Sequence, residues 1–264
     1  HRVERLKILG IEPTLAIVRV GSRPDDLSYE RTACKRAKAL GLTTRVFELD
    51  EKVSQEKLLL QIRRINADSS IHGCLVFRPL PSEMEDKLVC DELAMAKDID
   101  GVSTASLGAV FTDAKEGFAP STAEACVRAL DFYDIPVEGK HVVVVGRSLV
   151  VGKPVAMLLL RRNASVTICH SRTEDLPKIM RTADIVICAT GRARAFDASC
   201  FREGQTVLDV GINFDKDGNL CGDVDYESVE PVVDAITPVP GGLGSVTTSI
   251  TMEHTVSAAE KTIR

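Results

Sequence analysis

The sequence predicts an α/β protein of two domains, each built on a parallel sheet. Continuous apolar, β-branched runs alternate with helical stretches, which is the pattern of buried parallel strands joined by crossover helices. The alternation lapses over residues 97–120 and restarts after residue 121. The second half then opens on a strand, a glycine-containing loop and a helix. A chain of 264 residues is long enough for two modest cores. The expected division is 1–121 with 249–264, and 122–248.

Each element has its own signal. Residues 1–10 lack a methionine and a signal-peptide pattern, and read as the middle of a first helix whose start precedes His1. "TLAIVRV" (14–20) is a buried strand, and residues 28–42 form a helix that Tyr29 opens and Gly41 closes. "TRVFEL" (44–49) is a strand, followed by a serine-capped helix over 54–68 and a strand over 71–77 that ends in "RPLP". A helix over 82–94 follows, and 97–111, with no clear period, reads as a structured loop. A long helix spans 121–135. Strands at 141–146, 165–170, 184–190 and 206–212 alternate with helices at 153–163 and 176–183. A turn-rich loop covers 237–247, and a closing helix 248–263.

The composition is that of a globular protein, with 44% hydrophobic and 27% charged residues. A net charge of -5 gives no electrostatic reason to expect nucleic acid or an anionic membrane as partner. No apolar run approaches the ~20 residues of a membrane span. The eight cysteines stand singly, without a CxxC pair, so no metal site or disulfide framework is expected. Reduced thiols packed as small apolar residues imply a cytoplasmic protein.

"VVVVGRSLVVGKP" (142–154) is the sharpest local signal. A strand runs into Gly146, and Gly152 precedes a helix with Pro154 in its first turn. Helix N-terminal amides in this context receive a pyrophosphate. The GxGxxG spelling is absent, and the same pattern also serves as a tight βα turn in a domain without ligand. The next strand ends in Cys169-His170-Ser171-Arg172, where an NAD site would place a carboxylate. Arg147 and Arg172 suit a 2′-phosphate instead, which favours NADP; the alternative for Arg172 is a solvated loop charge.

These residues resemble a known family. "GRSLVVGKP" resembles the GRSxxVGxP signature of the methylenetetrahydrofolate dehydrogenase/methenyltetrahydrofolate cyclohydrolase family, and "TPVPGGLGSVT" its TPVPGGVGPMT. "KDIDG" (97–101) resembles its KDVDG, and "DVGIN" (209–213) is also a family motif. The motifs occur in the family's order along essentially the whole chain. The resemblance implies a catalytic domain completed by the C-terminal helix, a Rossmann-type NADP domain, a homodimer, and tetrahydrofolate one-carbon derivatives as substrates. Carried over by position, Gly146, Arg147, Ser148 and Gly152 with Pro154 match the NADP loop. Ser171 matches a 2′-phosphate contact and Ile212 a nicotinamide-side contact. Asp100 matches the aspartate that binds the pterin, and Tyr29 the tyrosine near the reacting carbon. Pro240, Gly241 and Gly242 match the loop beside the folate. Taken singly, Tyr29 is also readable as a packed helix tyrosine and Asp100 as a turn former.

The chain departs from the family where acid/base chemistry sits. "VGSRPDDLSYERTACKRAKALGL" aligns without gaps to VGxDPASxxYVxxKxKAxxxxGI, which puts the catalytic lysine position at Ala33. Lys35 matches a second, non-catalytic lysine. Four residues return to the Tyr29 face of a helix, whereas six do not. The family's QLPLP is here "FRPLP", with Phe77 in place of the glutamine that orients the lysine. "PST" stands for PCT, and Ser245 for a proline. The expected function is NADP-dependent oxidation of 5,10-methylenetetrahydrofolate in one-carbon metabolism, with the cyclohydrolase step weak or absent. The alternatives are a fully bifunctional enzyme using another base, and a non-catalytic folate- or nucleotide-binding protein.

Overall fold

Strand β1 (Thr14–Val20) is buried along its whole length. In the computed structural model, which describes residues 1–263, it is the middle strand of a parallel sheet. β2 (Thr43–Leu49) lies on one side of it and β3 (Gly73–Val76) on the other. Strand side chains alternate between faces, so β1 feeds two cores. Leu15 and Ile17 pack with Ala33, Leu75 and Met252, while Ala16 and Val18 pack with Leu58 and Ile62. Ala33 comes from α2 (Pro24–Ala39), Leu58 and Ile62 from α3 (Gln55–Ala67), Leu75 from β3 and Met252 from the C-terminal helix; α3 is capped by Ser54 accepting from the Lys57 amide. α1 (Arg2–Ile8), α4 (Asp86–Glu92) and α5 (Thr104–Phe111) complete this part of the chain.

The chain divides into two compact units: 1–121 with the segment from residue 248, and 122–247. The second opens with α6 (Ser121–Phe132) and carries a five-stranded parallel sheet. Its strands are β4 (His141–Val145), β5 (Ser165–Cys169), β6 (Ile185–Cys188), β7 (Thr206–Asp209) and, after the antiparallel ribbon β8 (Asn213–Phe214)–β9 (Leu220–Cys221), β10 (Ala235–Ile236). Their order is β10-β7-β6-β4-β5. The chain leaves β4 for β5 on one side and then crosses to β6 on the other. This is a doubly wound Rossmann-type sheet, whose strand order reverses at the carboxyl end of β4. Val142 and Val144 face a core with Val155 and Leu159 of α7 (Gly152–Leu160). Val143 and Val145 face one with Met180 of α8 (Leu176–Thr182). α9 (Tyr226–Val229) is a single turn, and α10 (Leu243–Glu260) closes the chain.

Four helix expectations need correction. Residues 97–111 are not all loop: α5 forms because Ser103 caps it and buried Asp98 accepts from the Val102 and Ser103 amides and the Ser106 hydroxyl. α2 starts at Pro24, so Tyr29 lies in its second turn rather than opening it; proline at the first position and Asp25 and Asp26 in the first turn favour that start. α4 is shorter than 82–94, beginning at Asp86. α10 begins at Leu243, inside the expected turn-rich loop, because Leu243 is buried in the second unit's core.

All eight cysteines are free thiols and all but Cys34 are buried. Burial pushes the Cys126 thiol up to about 12, as expected of a packing residue rather than a reactive one. No helix among the described residues is long and apolar enough to cross a membrane.

Candidate active site

In the first unit, α2 and the end of β3 bring the departures from the family pattern together. Tyr29 and Phe77 have ring centroids 5.3 Å apart. Ala33, one turn after Tyr29, is 1% exposed and belongs to the same apolar cluster as Phe77 and Leu75. Lys35 is exposed. The position that would hold a lysine is therefore filled by apolar packing.

Asp100 lies on the turn after the bridge between Cys74 and Asp98. That turn is tightly set. Gly101 has φ +62°, and a Cβ there would stand 2.5 Å from backbone atoms of Ala119 and Pro120, so only glycine fits. Burial pushes the Asp100 carboxyl up to about 6. The Arg78 charge, a hydrogen bond with Ser121 and the nearby His254 pull it down, while Asp98 pushes it up. Ser121 is wholly buried, donates to the Ile99 carbonyl (3.3 Å) and accepts from the Thr251 hydroxyl (3.2 Å). Tyr29 is 38% exposed on its open face. Burial of its phenol, with the Asp100 charge, pushes it up to about 12, opposed by a hydrogen bond from Thr248. The His254 ring stacks on Phe118 with centroids 4.6 Å apart, and its Nδ1 lies 2.7 Å from the Ile99 carbonyl. Arg78 pairs with Asp86 at 3.4 Å.

The second unit holds the glycine loop at the switch point of its sheet. A Cβ on Gly146, φ +134°, would run into the Ala189 carbonyl just past β6. One on Gly152 would run into the Gly146 carbonyl. The two glycines let the loop fold back on itself at the start of α7, where Pro154 is buried. Ser148 accepts from the Val151 amide at 3.1 Å, and Arg147 is exposed beside it. After β5, His170 donates its amide to the Thr173 hydroxyl and accepts from the Arg172 amide, leaving Ser171 and Arg172 exposed.

"DVGIN" is a bracket for the neighbouring loops. Buried Asp209 accepts from the amides of Gly211, Asp223 and Val224 at 2.9–3.0 Å. Wholly buried Asp223 accepts from the Thr190, Gly191 and Arg192 amides and from Asn213. The Thr237 hydroxyl accepts from the Asp209 amide at 2.8 Å and so ties the "TPVPGG" loop to the same bracket. This leaves Ile212 66% exposed, with Pro240 and Gly241 exposed and Gly242 half-buried.

Tyr29, Ala33, Phe77 and Asp100 thus lie in the first unit, and Gly146, Arg147, Ser148, Gly152, Pro154, Ser171, Arg172, Ile212 and Pro240–Gly242 in the second. Sequence reasoning missed Thr248 and His254, which carry no local pattern, and noted Ser121 only as a cap and as the middle of "PST". Among the described residues no three His, Cys, Asp or Glu side chains are grouped to hold a metal ion.

Residues 1–100 match the catalytic domain of tetrahydrofolate dehydrogenase/cyclohydrolase, and residues 120–263 its NAD(P)-binding domain. The bifunctional protein FolD of Carboxydothermus hydrogenoformans is 51% identical over 261 residues, 98% of this chain and 91% of that protein. The crystal structure of the bifunctional FolD dehydrogenase/cyclohydrolase from Campylobacter jejuni superposes with a TM-score of 0.96 at 37% identity, covering 98% of this chain and 92% of that one. The Trypanosoma brucei FolD, complexed with NADP cofactor and inhibitor, has a TM-score of 0.93 at 31% identity, covering 100% and 93%.

Proposed function

The chain belongs to the tetrahydrofolate dehydrogenase/cyclohydrolase family, and from that premise we propose that it oxidises 5,10-methylenetetrahydrofolate to 5,10-methenyltetrahydrofolate with NADP, its cyclohydrolase step weak or absent. The single observation that carries this is a contrast. The glycine loop at the sheet's switch point is intact, whereas position 33 is an alanine packed with Phe77.

The residues present fit NADP. Gly146 and Gly152 lie where a Cβ would obstruct the turn, and exposed Ser171, Arg172 and Arg147 offer donors and positive charge without a carboxylate at the end of β5. When bound, the nicotinamide accepts the hydride that leaves the methylene carbon, and the folate becomes an amidinium cation. No proton is transferred in that step, so the chain's task is to bind and orient. Asp100 holds the pterin, and the open face of Tyr29 lies alongside the reacting end. Pro240, Gly241 and Gly242 supply backbone beside the folate, and Ile212 an apolar contact near the nicotinamide.

Hydrolysis of the methenyl cation is different, because the attacking water must lose a proton. Ala33 has no group to take it, and Arg78 stays protonated. The relatives are named bifunctional, which favours a second reading in which another base retains both steps. In either reading the chain acts in the cytoplasm as a homodimer. The test assays the half-reactions separately: NADPH formation from methylenetetrahydrofolate, and decay of methenyltetrahydrofolate above its spontaneous rate. Absence of NADPH formation at saturating folate and NADP would overturn the dehydrogenase.

A further inference from the structure

Ile99, the residue before Asp100, is held at both of its ends. Its side chain is wholly buried against Gly73 of β3, where an added Cβ would stand 2.7 Å from the Ile99 Cγ2. Its carbonyl oxygen lies 2.7 Å from Nδ1 of His254, a buried residue of α10, and 3.3 Å from the Ser121 hydroxyl. A carbonyl only accepts, so Nδ1 carries the proton and His254 is the closer donor. That carbonyl belongs to the peptide unit that ends in the Asp100 nitrogen. The unit is planar, so fixing the direction of its C=O also fixes the Asp100 N–H and the approach to its Cα, from which the side chain departs. The far side of the turn is set independently. Gly101 approaches backbone atoms of Ala119 and Pro120, and Asp98 accepts from the Val102 and Ser103 amides.

We propose that His254 is a positioning residue that acts through the Ile99 carbonyl, setting the peptide unit that presents Asp100 to the N–H groups of a pterin ring. The role assigned to Asp100 rests on the folate reading above; the hydrogen bond that holds its peptide does not. A pterin edge offers a ring N–H and an amino group side by side, and a carboxylate meets both only when it points in one direction. This contact is the same before and during hydride transfer. A loosened Asp100 therefore weakens folate binding uniformly, which raises KM and leaves kcat little changed. The His254 ring also stacks on Phe118, so packing is the competing account of its place here. The two accounts make opposite demands. Phenylalanine keeps a ring and has no donor, whereas asparagine loses the ring but carries an N–H close to where the imidazole Nδ1 sits.

Ile99-Asp100 is the only Ile-Asp pair in the sequence. In the full chain, labelled with ¹³C at isoleucine carbonyls and ¹⁵N at aspartate, a carbonyl–amide correlation spectrum therefore contains one signal, from this peptide unit. His254→Phe should move its carbonyl shift upfield, as loss of a donor does, and His254→Asn should leave it close to wild type. In parallel, the KM for methylenetetrahydrofolate should rise about fivefold in His254→Phe, with kcat and the Kd for NADP little changed, and stay within about twofold of wild type in His254→Asn. His254→Leu removes the donor with a smaller side chain and serves where His254→Phe does not fold. An unmoved carbonyl signal or an unmoved KM in the variants without a donor overturns the proposal. So does a KM raised more by His254→Asn than by His254→Phe, which would make stacking the role of the ring. The signal is read without folate or NADP, so a chain that turns over no folate refutes the folate reading and still reports on the hold at Ile99.

Discussion

The rings of Tyr29 and Phe77 lie 5.3 Å apart with their planes inclined at 42°, and Ala33 is buried in the cluster that Phe77 belongs to. The region that would hold an oriented lysine is an aromatic contact over a packed core. Ala33→Lys alone should recover little cyclohydrolase activity, because the ammonium enters an apolar cluster that lowers its pKa without orienting it. Ala33→Lys with Phe77→Gln should recover more than the sum of the singles. A positioned base is worth ~10²–10⁴-fold. The readout is methenyltetrahydrofolate decay, corrected for spontaneous hydrolysis. A fast wild-type rate left untouched in the double variant would mean that another base does the work.

Cofactor preference should depend on Arg147 and Arg172. Both are exposed beside the loops that follow β4 and β5. A charge-assisted hydrogen bond to phosphate contributes ~1.5–3 kcal/mol. Replacing both with alanine should weaken NADP at least tenfold more than NAD, measured as Kd by fluorescence titration. Equal losses for the two cofactors would show that neither arginine reads the 2′-phosphate.

Gly152→Ala should damage the second unit. The added methyl meets the Gly146 carbonyl and lies 2.8 Å from the Arg147 nitrogen, backbone atoms that cannot swing aside as a side chain would. Overpacking of this kind costs ~1–3 kcal/mol. Thermal unfolding should shift down and NADP should bind more weakly. An unchanged Tm with unchanged NADP affinity would count against the close approach at this turn.

Asp100→Asn should stabilise the protein at neutral pH while abolishing folate binding. The folded carboxyl titrates at about 6, above its ordinary 3.8. The folded state therefore holds the proton more tightly than the unfolded state between those values. The contribution of Asp100 to stability is therefore greatest below about pH 4 and falls as the pH rises through about 6. Asparagine carries no charge and removes that loss. Urea unfolding at pH 8 should favour Asp100→Asn by roughly 1–3 kcal/mol relative to the comparison at pH 4. A difference independent of pH would refute the buried-carboxylate cost.

The pattern of apolar runs determined the parallel sheets, because a strand buried on both faces has to be apolar throughout. The valines of "HVVVV" show this directly, and "TLAIVRV" departs from it at Arg19, whose buried guanidinium is paired with Glu30 and Glu48. The motifs likewise singled out Ala33 and Phe77 as departures and Gly146 and Gly152 as loop residues. Tertiary contacts decided what local pattern does not encode. α5 is held by a buried aspartate just upstream of the helix, and α10 starts early because Leu243 has a core to enter. Phe77 lies 48 residues from Tyr29 in the chain, and their contact exists because β3 pairs with β1 beneath α2. The charge on Asp100 was decided in the same way: Arg78, Ser121 and His254 come from three separate segments, and a carboxyl's pKa depends on how far it is buried and which charges face it, quantities that arise only when those segments pack together.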